Sequence, residues 1–372
     1  MERARRIVML ANPGHRASDP RVFQKEARSL ARAGFDVTLI VPHDKDEHVD
    51  GVKILAVPRH PKGWGKLVRS PWLVYRRALQ CHRDSIFHLH DSELLWIGIL
   101  LKLRGRKLLY DAHEDTPRQI SYQHWIPGFF RKPYAWMYYL IEKLCGWWFD
   151  AIIVAEPVIA GYFPKSKTTL IRNFPIFSQF PEPTHSYQSR SRKIVYVGLL
   201  SRPRGAVEMA QSALLLKNAG VDFTMTFAGN FSPDSLRDEI LQNYPVGHIP
   251  WMEFPEMVKL LMDARAGLIV AHPIERYNTN YPVKTFEYMS AGVPVIASKF
   301  GESANFVQEA RAGLLVDPLD PAAIADAIQW ILDHPGEAGE MGKRGRKLIS
   351  EKYTWEEESK TLVALYEKLT SK

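Results

Sequence analysis

Residues 193–205 read Lys-Ile-Val-Tyr-Val-Gly-Leu-Leu-Ser-Arg-Pro-Arg-Gly. A short apolar run ends at Gly198, Arg202 and Arg204 flank a proline, and a helical period begins after Gly205. Strand, glycine-containing turn and helix in that order describe a βα unit, and its turn is where such units hold anions. The pattern repeats beyond it, with apolar runs at 223–228, 267–271, 293–297 and 313–316. Short runs at 6–12, 37–41, 52–57, 86–90, 107–110, 151–155 and 168–172 alternate with helical periods before it. Alternation of this kind implies parallel sheets covered by helices on both faces.

The helix after the first run is the best signalled. Asp19 stands as its N-cap, Pro20 opens it, Phe23, Ala27, Leu30 and Ala31 share a face, and Gly34 closes it. Between the two series, Pro175, Pro181 and Pro183 lie among Ser, Gln and Thr without a lasting period, which marks a linker. The expected organisation is α/β, with two Rossmann-like doubly wound domains facing across a cleft: 1–175, a linker 176–192, 193–354, and a last helix 355–372 packing on either domain. Open sheets bind ligands at the carboxyl ends of their strands.

The chain has 372 residues, 46% hydrophobic and 24% charged, with its 25 prolines and 23 glycines dispersed, which excludes disorder, collagen-like repeats and coiled coil for most of its length. Its longest apolar run, 94–101, is well short of the ~20 residues a membrane span needs. Arg3, Arg5 and Arg6 ahead of 7–11 introduce a buried first strand rather than a signal peptide. Two distant cysteines, Cys81 and Cys145, suit a reducing cytoplasm.

The net charge of +8 is unevenly placed. Residues 1–180 hold 28 basic and 17 acidic side chains, whereas the remainder holds 21 and 24. Arg59, Lys62, Lys66, Arg69, Arg76 and Arg77 occur without an acid and are interleaved with Trp64, Trp72 and Tyr75. Residues 59–77 are therefore either a solvated face or a contact with anionic lipid, where aromatic residues favour the interface. Nucleic acid is the least favoured partner, since no zinc spacing, aromatic RNA-binding signature or recognition helix occurs. Residues 125–148 are also aromatic: Phe130, Tyr134, Met137, Tyr138, Ile141, Leu144 and Cys145 form a stripe that reads as core, while Trp136, Tyr139 and Trp147 lie off it and cover a second surface.

In the second half, Pro282 suits a first helical turn, placing Val283, Phe286, Glu287 and Ser290 on the inner face. A carboxylate there needs a hydroxyl or amide partner, in a ligand or in a neighbouring loop. The helix start offers N–H groups and a positive dipole end, Lys284 adds a cation, and Asn278, Thr279 and Asn280 precede it in a polar loop ending at Tyr281. With Arg202 and Arg204 this suggests a diphosphate held between two helix starts.

At these residues the chain resembles the retaining family-4 glycosyltransferases of the GT-B fold, of the bacterial surface-polysaccharide type. The run 282–298, Pro-Val-Lys-Thr-Phe-Glu-Tyr-Met-Ser-Ala-Gly-Val-Pro-Val-Ile-Ala-Ser, is similar to the family's donor signature. The resemblance makes Glu287 the ribose-gripping glutamate and places Thr279 where a second glutamate usually stands. It puts Leu199 and Arg204 where the family has the Arg and Lys that hold the diphosphate, so Lys284 or Arg202 compensates. His113 matches the active-site histidine, and His90, Asp91, Asp111 and Glu114 match strand ends lining the acceptor side. His90 and His113 also admit the ordinary reading of strand-end hydrogen bonders. Gly14 stands for the family's glycine pair, with Arg16 and Arg21 expected to hold acceptor or phosphates.

The resemblance implies transfer of a sugar from a nucleoside diphosphate donor, UDP by preference, with retention and without a metal, through His113, Arg204, Lys284 and Glu287. The acceptor it implies is a glycan or a lipid-diphosphate-linked one at the inner face of the cytoplasmic membrane. A nucleotide-sugar epimerase of the same plan and a catalytically silent sugar-nucleotide-binding protein are the alternatives.

Overall fold

Five of the six residues of β1 (Arg6–Ala11) are buried, as an unbroken apolar run requires of a strand inside a parallel sheet. The computed structural model describes residues 5–12, 14–59, 68–113, 115–121, 127–279 and 281–371. Around β1 stand β2 (Asp36–Pro42), β3 (Glu47–Val49), β4 (Val52–Val57), β5 (Ile86–His90), β6 (Lys107–Ala112), β7 (Ala151–Val154) and β8 (Thr168–Leu170), in the order β3-β4-β2-β1-β5-β6-β7-β8. All pairings are parallel except β3 with β4. β3 was not expected. It is a three-residue edge strand turned by Asp50 and Gly51, both at positive φ, an Asp-Gly hairpin signal present in the sequence.

One sheet face packs on helices Ser70–Ala78, Leu95–Leu103 and Gly128–Trp148. The last helix, Trp355–Thr370, returns to the same unit: Tyr366 packs on Phe35, and Arg172 pairs with Glu358 at 3.1 Å. The unit comprises Met1–Asn173 and Glu356–Lys372.

The first turn cap is as read, with Asp19 accepting the N–H groups of Arg21 and Val22. The helix it opens is wound differently. Pro20–Ala27 forms a π-helix, the Gln24 N–H reaching back to the Asp19 carbonyl, before an α-helical turn, Arg28–Arg32. The wider turn carries Arg21, Lys25 and Glu26 inward together with Val22, Phe23 and Ala27.

The second unit, Phe174–Trp355, holds β9 (Lys193–Val197), β10 (Thr224–Ala228), β11 (Gly247–Ile249), β12 (Ala266–Ile269), β13 (Val295–Ser298) and β14 (Gly313–Val316), parallel in the order β11-β10-β9-β12-β13-β14. The segment expected to be a linker is packed instead. Tyr187 donates to the Arg265 carbonyl at 2.5 Å, Arg190 donates to the carbonyls of Ala264, Ala291 and Gly292, and Phe174 and Phe180 are buried. Its prolines prevent a helical period but not burial.

The aromatic stripe of helix Gly128–Trp148 is corrected in part. Cys145 is buried as read, but Phe130 and Leu144 are more than half exposed and Ala135, Glu142 and Gly146 face inward in their place; Trp136 and Trp147, read as lying off the stripe, are also more than half exposed. Small residues allow the close approach: a Cβ on Gly146 would stand 2.4 Å from the Phe163 ring.

Candidate functional site

Each sheet reverses its winding once, between β1 and β5 and between β9 and β12, and it is outside such switch points that open sheets bind ligands. In the second unit, β9 is followed by Gly198, whose φ is +132°. A Cβ there would lie 2.2 Å from Lys284 Cε and 2.3 Å from Nζ, so the lysine tip rests on bare backbone. Lys284 belongs to helix Val283–Ser290, which the Tyr288 hydroxyl ties to β9 by accepting the Val197 N–H at 2.8 Å.

Burial and the Arg204 guanidinium depress the Lys284 ammonium below its usual range, against the pull of Glu287. Arg204 is held by the phenols of Tyr196 and Tyr277, which keep its charge despite burial. Two nearby cations in a partly dry place repel, and an oxyanion joining them would relieve both. Gly205, at φ +74°, starts the helix Ala206–Asn218; a Cβ there would stand 2.1 Å from the Val270 carbonyl, so the β9 turn presses on the end of β12.

Several expected donor residues are placed differently. Arg202 turns outward to Glu239, because its half of the turn lies beside helix Asp234–Asn243. The Tyr281 ring packs toward Phe286 and Phe306. Thr279 closes a short helix, Glu275–Thr279, rather than a polar loop. Asn280 and the Thr279 side chain lie outside the described residues. Pro282 precedes the helix, and Val283, half-buried, is its first residue. His272, 3.0 Å from Glu208 with its N–H bonded to Pro203, borders the same switch point and was not anticipated.

In the first unit, His15 lies between Asp19 at 2.8 Å and Asp91 at 3.1 Å. Burial opposes its charge, but the two carboxylates outweigh it and push the imidazole up to about 10; Asp19 falls to about 2. Asp91 holds φ 128°, a strained geometry for a non-glycine residue, and accepts the Asn12 N–H. His113, at the end of β6, is within 3.5 Å of Asp111. Arg16 lines a cleft of about 800 Å³ with Phe23, His43, Ile54 and Arg59, at the ends of β2 and β4. A Cβ on Gly14 would meet nothing within 4 Å.

Three acceptor-side expectations are corrected. Arg21 is buried, donating to both oxygens of Asp111 at 2.9 and 3.0 Å and lying 3.1 Å from Glu26. Asp111 and His90 are equally inaccessible, one layer beneath the strand-end surface. The π-helix causes this by swinging Arg21 under the sheet edge. Glu114 lies outside the described residues.

Glu26, His88, His90 and Asp111 bring ligand-type atoms together, as do His15, Asp91 and His113. In the first the Arg21 guanidinium already pairs with Asp111 at 2.9 Å and with Glu26 at 3.1 Å, and in the second the His15 imidazole is held by Asp91 at 3.1 Å.

Two α/β units, each with a sheet wound both ways from one switch point, are of the doubly wound class that binds ligands at the carboxyl ends of its strands. A glycosyl transferase 4-like domain matches residues 20–173 and the glycosyl transferases group 1 description matches residues 191–334, and the chain belongs to this glycosyltransferase family, of the GT-B fold. It is 23% identical over 368 residues to the glycogen synthase of Mycobacterium tuberculosis, covering 88% of this chain and 85% of that one. To a D-inositol 3-phosphate glycosyltransferase of Arthrobacter it is 26% identical over 171 residues, 44% of this chain and 39% of the relative. Among solved structures, sucrose-phosphate synthase from Thermosynechococcus elongatus superposes with a TM-score of 0.75 at 20% identity, over 98% of this chain and 99% of that one. Anabaena HepE in complex with UDP-glucose does so at 0.69 and 12% identity, over 99% and 100%. These likenesses establish the fold.

Proposed function

We propose that the chain transfers a sugar from a nucleoside diphosphate sugar, UDP-linked by preference, to a glycan or lipid-diphosphate-linked acceptor, with retention at the anomeric carbon. The observation that carries this is Lys284 resting on Gly198 beside Arg204 at the β9/β12 switch point. UDP is favoured because HepE, with the same fold, is solved with UDP and UDP-glucose.

As the anomeric C–O bond to phosphate breaks, Arg204, Lys284 and the start of helix Val283–Ser290 face the charge growing on the diphosphate. The acceptor oxygen bonds the anomeric carbon from the same face, and its proton passes to the departing phosphate oxygen. Glu287 holds the ribose hydroxyls, and His113 orients sugar or acceptor, with the Arg16–Arg59 cleft and Asp91 on the acceptor side. No step draws on a metal.

The acceptor reading is that of surface polysaccharide assembly, capsule or O-antigen, at the inner face of the cytoplasmic membrane. Its support is the bare aromatic face of helix Gly128–Trp148, with Lys132 and Lys143 on the same helix, and the exposed Arg69, Trp72 and Arg76 near helix Ser70–Ala78. Lys62, Trp64, Lys66 and Trp125 lie outside the described residues. Among the described residues no helix is long and apolar enough to cross a membrane.

Incubation with UDP-, GDP- and dTDP-sugars tests the reading. Slow release of free nucleoside diphosphate, undiminished by chelator, supports it; epimer formation supports the epimerase, and binding without turnover the silent binder. Glu287→Ala should weaken donor binding by ~1.5–3 kcal/mol, the worth of a charge-assisted hydrogen bond. Unchanged nucleotide affinity removes Glu287 from the ribose.

A further inference from the structure

Beneath the strand-end surface of the first unit, titratable groups follow one another without a break. The Tyr366 hydroxyl is 2.8 Å from His88 Nδ1, and the His88 and His90 rings lie 3.9 Å apart. Glu26 Oε2 is 3.9 Å from His88 Nδ1 and 3.7 Å from His90 Nδ1. Asp111 Oδ2 is 3.5 Å from the Nδ1 atoms of both His90 and His113. Of these groups only His113 reaches the surface, with 16% of its side chain exposed.

Packing alone does not call for such a chain, because buried polar groups are costly where apolar ones would serve. It is not closed as a hydrogen-bond network either: both oxygens of Glu26 and both nitrogens of His90 lack a bond of ordinary geometry. Arg21 and Asp111 cancel in charge, which leaves Glu26 as the excess anion. Burial raises the proton affinity of that carboxyl against the pull of Arg21, and burial lowers that of His88 and His90.

We propose that Asp111 and Arg21 are positioning residues for His113, and that Glu26 with His90 forms a proton reserve behind them that governs the charge on His113. The proposal rests on the reading of His113 as the group that orients sugar or acceptor. Asp111 facing Nδ1 leaves Nε2 for a ligand, and two bonds from Arg21 fix the carboxylate in direction and keep it ionised. His90 and His113 compete for one Asp111 oxygen, so a proton on one discourages a proton on the other. Release of the Glu26 proton places a second negative charge beside His90 and shifts that balance. The groups facing His113 are Asp111 on β6, the strand it follows, His90 and Asp91 at the end of β5, His15 from the loop after β1, and Arg21 and Glu26 from the π-helix.

Imidazole NMR titration of the full chain, with the His113 signals assigned by their loss in His113→Gln, tests this without reference to activity. Asp111→Asn should lower the His113 midpoint by at least one pH unit, a tenfold loss of proton affinity. Glu26→Gln, isosteric and uncharged, should erase the second inflection, that of Glu26, from the His90 and His113 curves, and it carries the test alone where Asp111→Asn fails to fold. Where transfer is measurable, the pH profile of kcat should move with the His113 midpoint while KM stays nearly fixed. Unchanged midpoints in folded variants overturn the coupling even if the wild type transfers sugar. Shifted midpoints in a chain that turns over no sugar nucleotide uphold the coupling and overturn the enzymatic reading.

Discussion

Glu142→Gln isolates one buried carboxyl that anchors the aromatic helix to the sheet. Glu142 lies on the inner face of helix Gly128–Trp148, 3% exposed, and accepts a hydrogen bond from the Tyr110 hydroxyl of β6 at 2.7 Å. Burial raises its pKa from 4.5 to about 7; the Tyr110 bond opposes the rise and Asp115 adds to it. Between those two values the unfolded chain has released the proton while the native chain retains it. The native state therefore loses stability as pH rises through that window, and the loss levels off above the folded value. A tenfold change in proton affinity is worth ~1.4 kcal/mol, so the penalty grows by about 2.5 kcal/mol between roughly pH 5 and pH 8. Glutamine keeps the shape and can accept the Tyr110 bond through its carbonyl oxygen, but it has no proton to lose. Urea unfolding followed by tryptophan fluorescence, with the transitions of the two units resolved, should show Glu142→Gln gaining roughly that amount on the wild type over this range, whatever the offset at the acid end. Parallel pH curves for the two proteins would refute the assignment.

Two further perturbations test the site and the surface. Gly198→Ala places a methyl where the Lys284 tip lies and at a φ that disfavours a side chain, so UDP affinity measured by calorimetry should fall at least tenfold; an unchanged affinity means Lys284 does not touch the diphosphate. Trp136→Ser, Leu144→Ser and Trp147→Ser together remove exposed apolar surface and should weaken flotation with anionic vesicles while leaving thermal unfolding nearly unchanged; equal flotation removes that helix from the membrane contact.

Much of the scaffold was legible because apolar runs between turn residues are forced by burial on both faces of a parallel sheet. The runs at 86–90 and 193–197 match β5 and β9 end for end. The missed strands, Glu47–Val49 and Gly247–Ile249, are three-residue edges with little apolar surface to advertise them. The aromatic helix misled for the opposite reason. Nearly every side of it is apolar, so a stripe drawn mainly through large residues took in exposed Phe130 and Leu144 along with buried Cys145, and the small residues Ala135 and Gly146 beside Cys145 mark the inner face. That Lys284 and Arg204 meet was readable from two local motifs, 193–205 and 282–298, given that a helix start and a strand end come together at a switch point.

The first-unit site was less legible because its charges are joined through space rather than along the chain. Arg21 and Asp111 are 90 residues apart, and an α-helical reading of 20–32 puts Arg21 and Lys25 on one face but turns Glu26 away from it. The alternation His88, Leu89, His90 did carry a signal, since residues two apart on a strand share a face. Two histidines on one face of a central strand demand partners with charge or hydroxyl, and Glu26, Asp111 and Tyr366 meet that demand. The π-helix is thus the local irregularity on which the site depends. Were Pro20–Ala27 to wind as a regular α-helix, Arg21 and Glu26 would diverge by a further part of a turn, Asp111 would lose its cation, and His113 would face a carboxylate free to take up a proton itself.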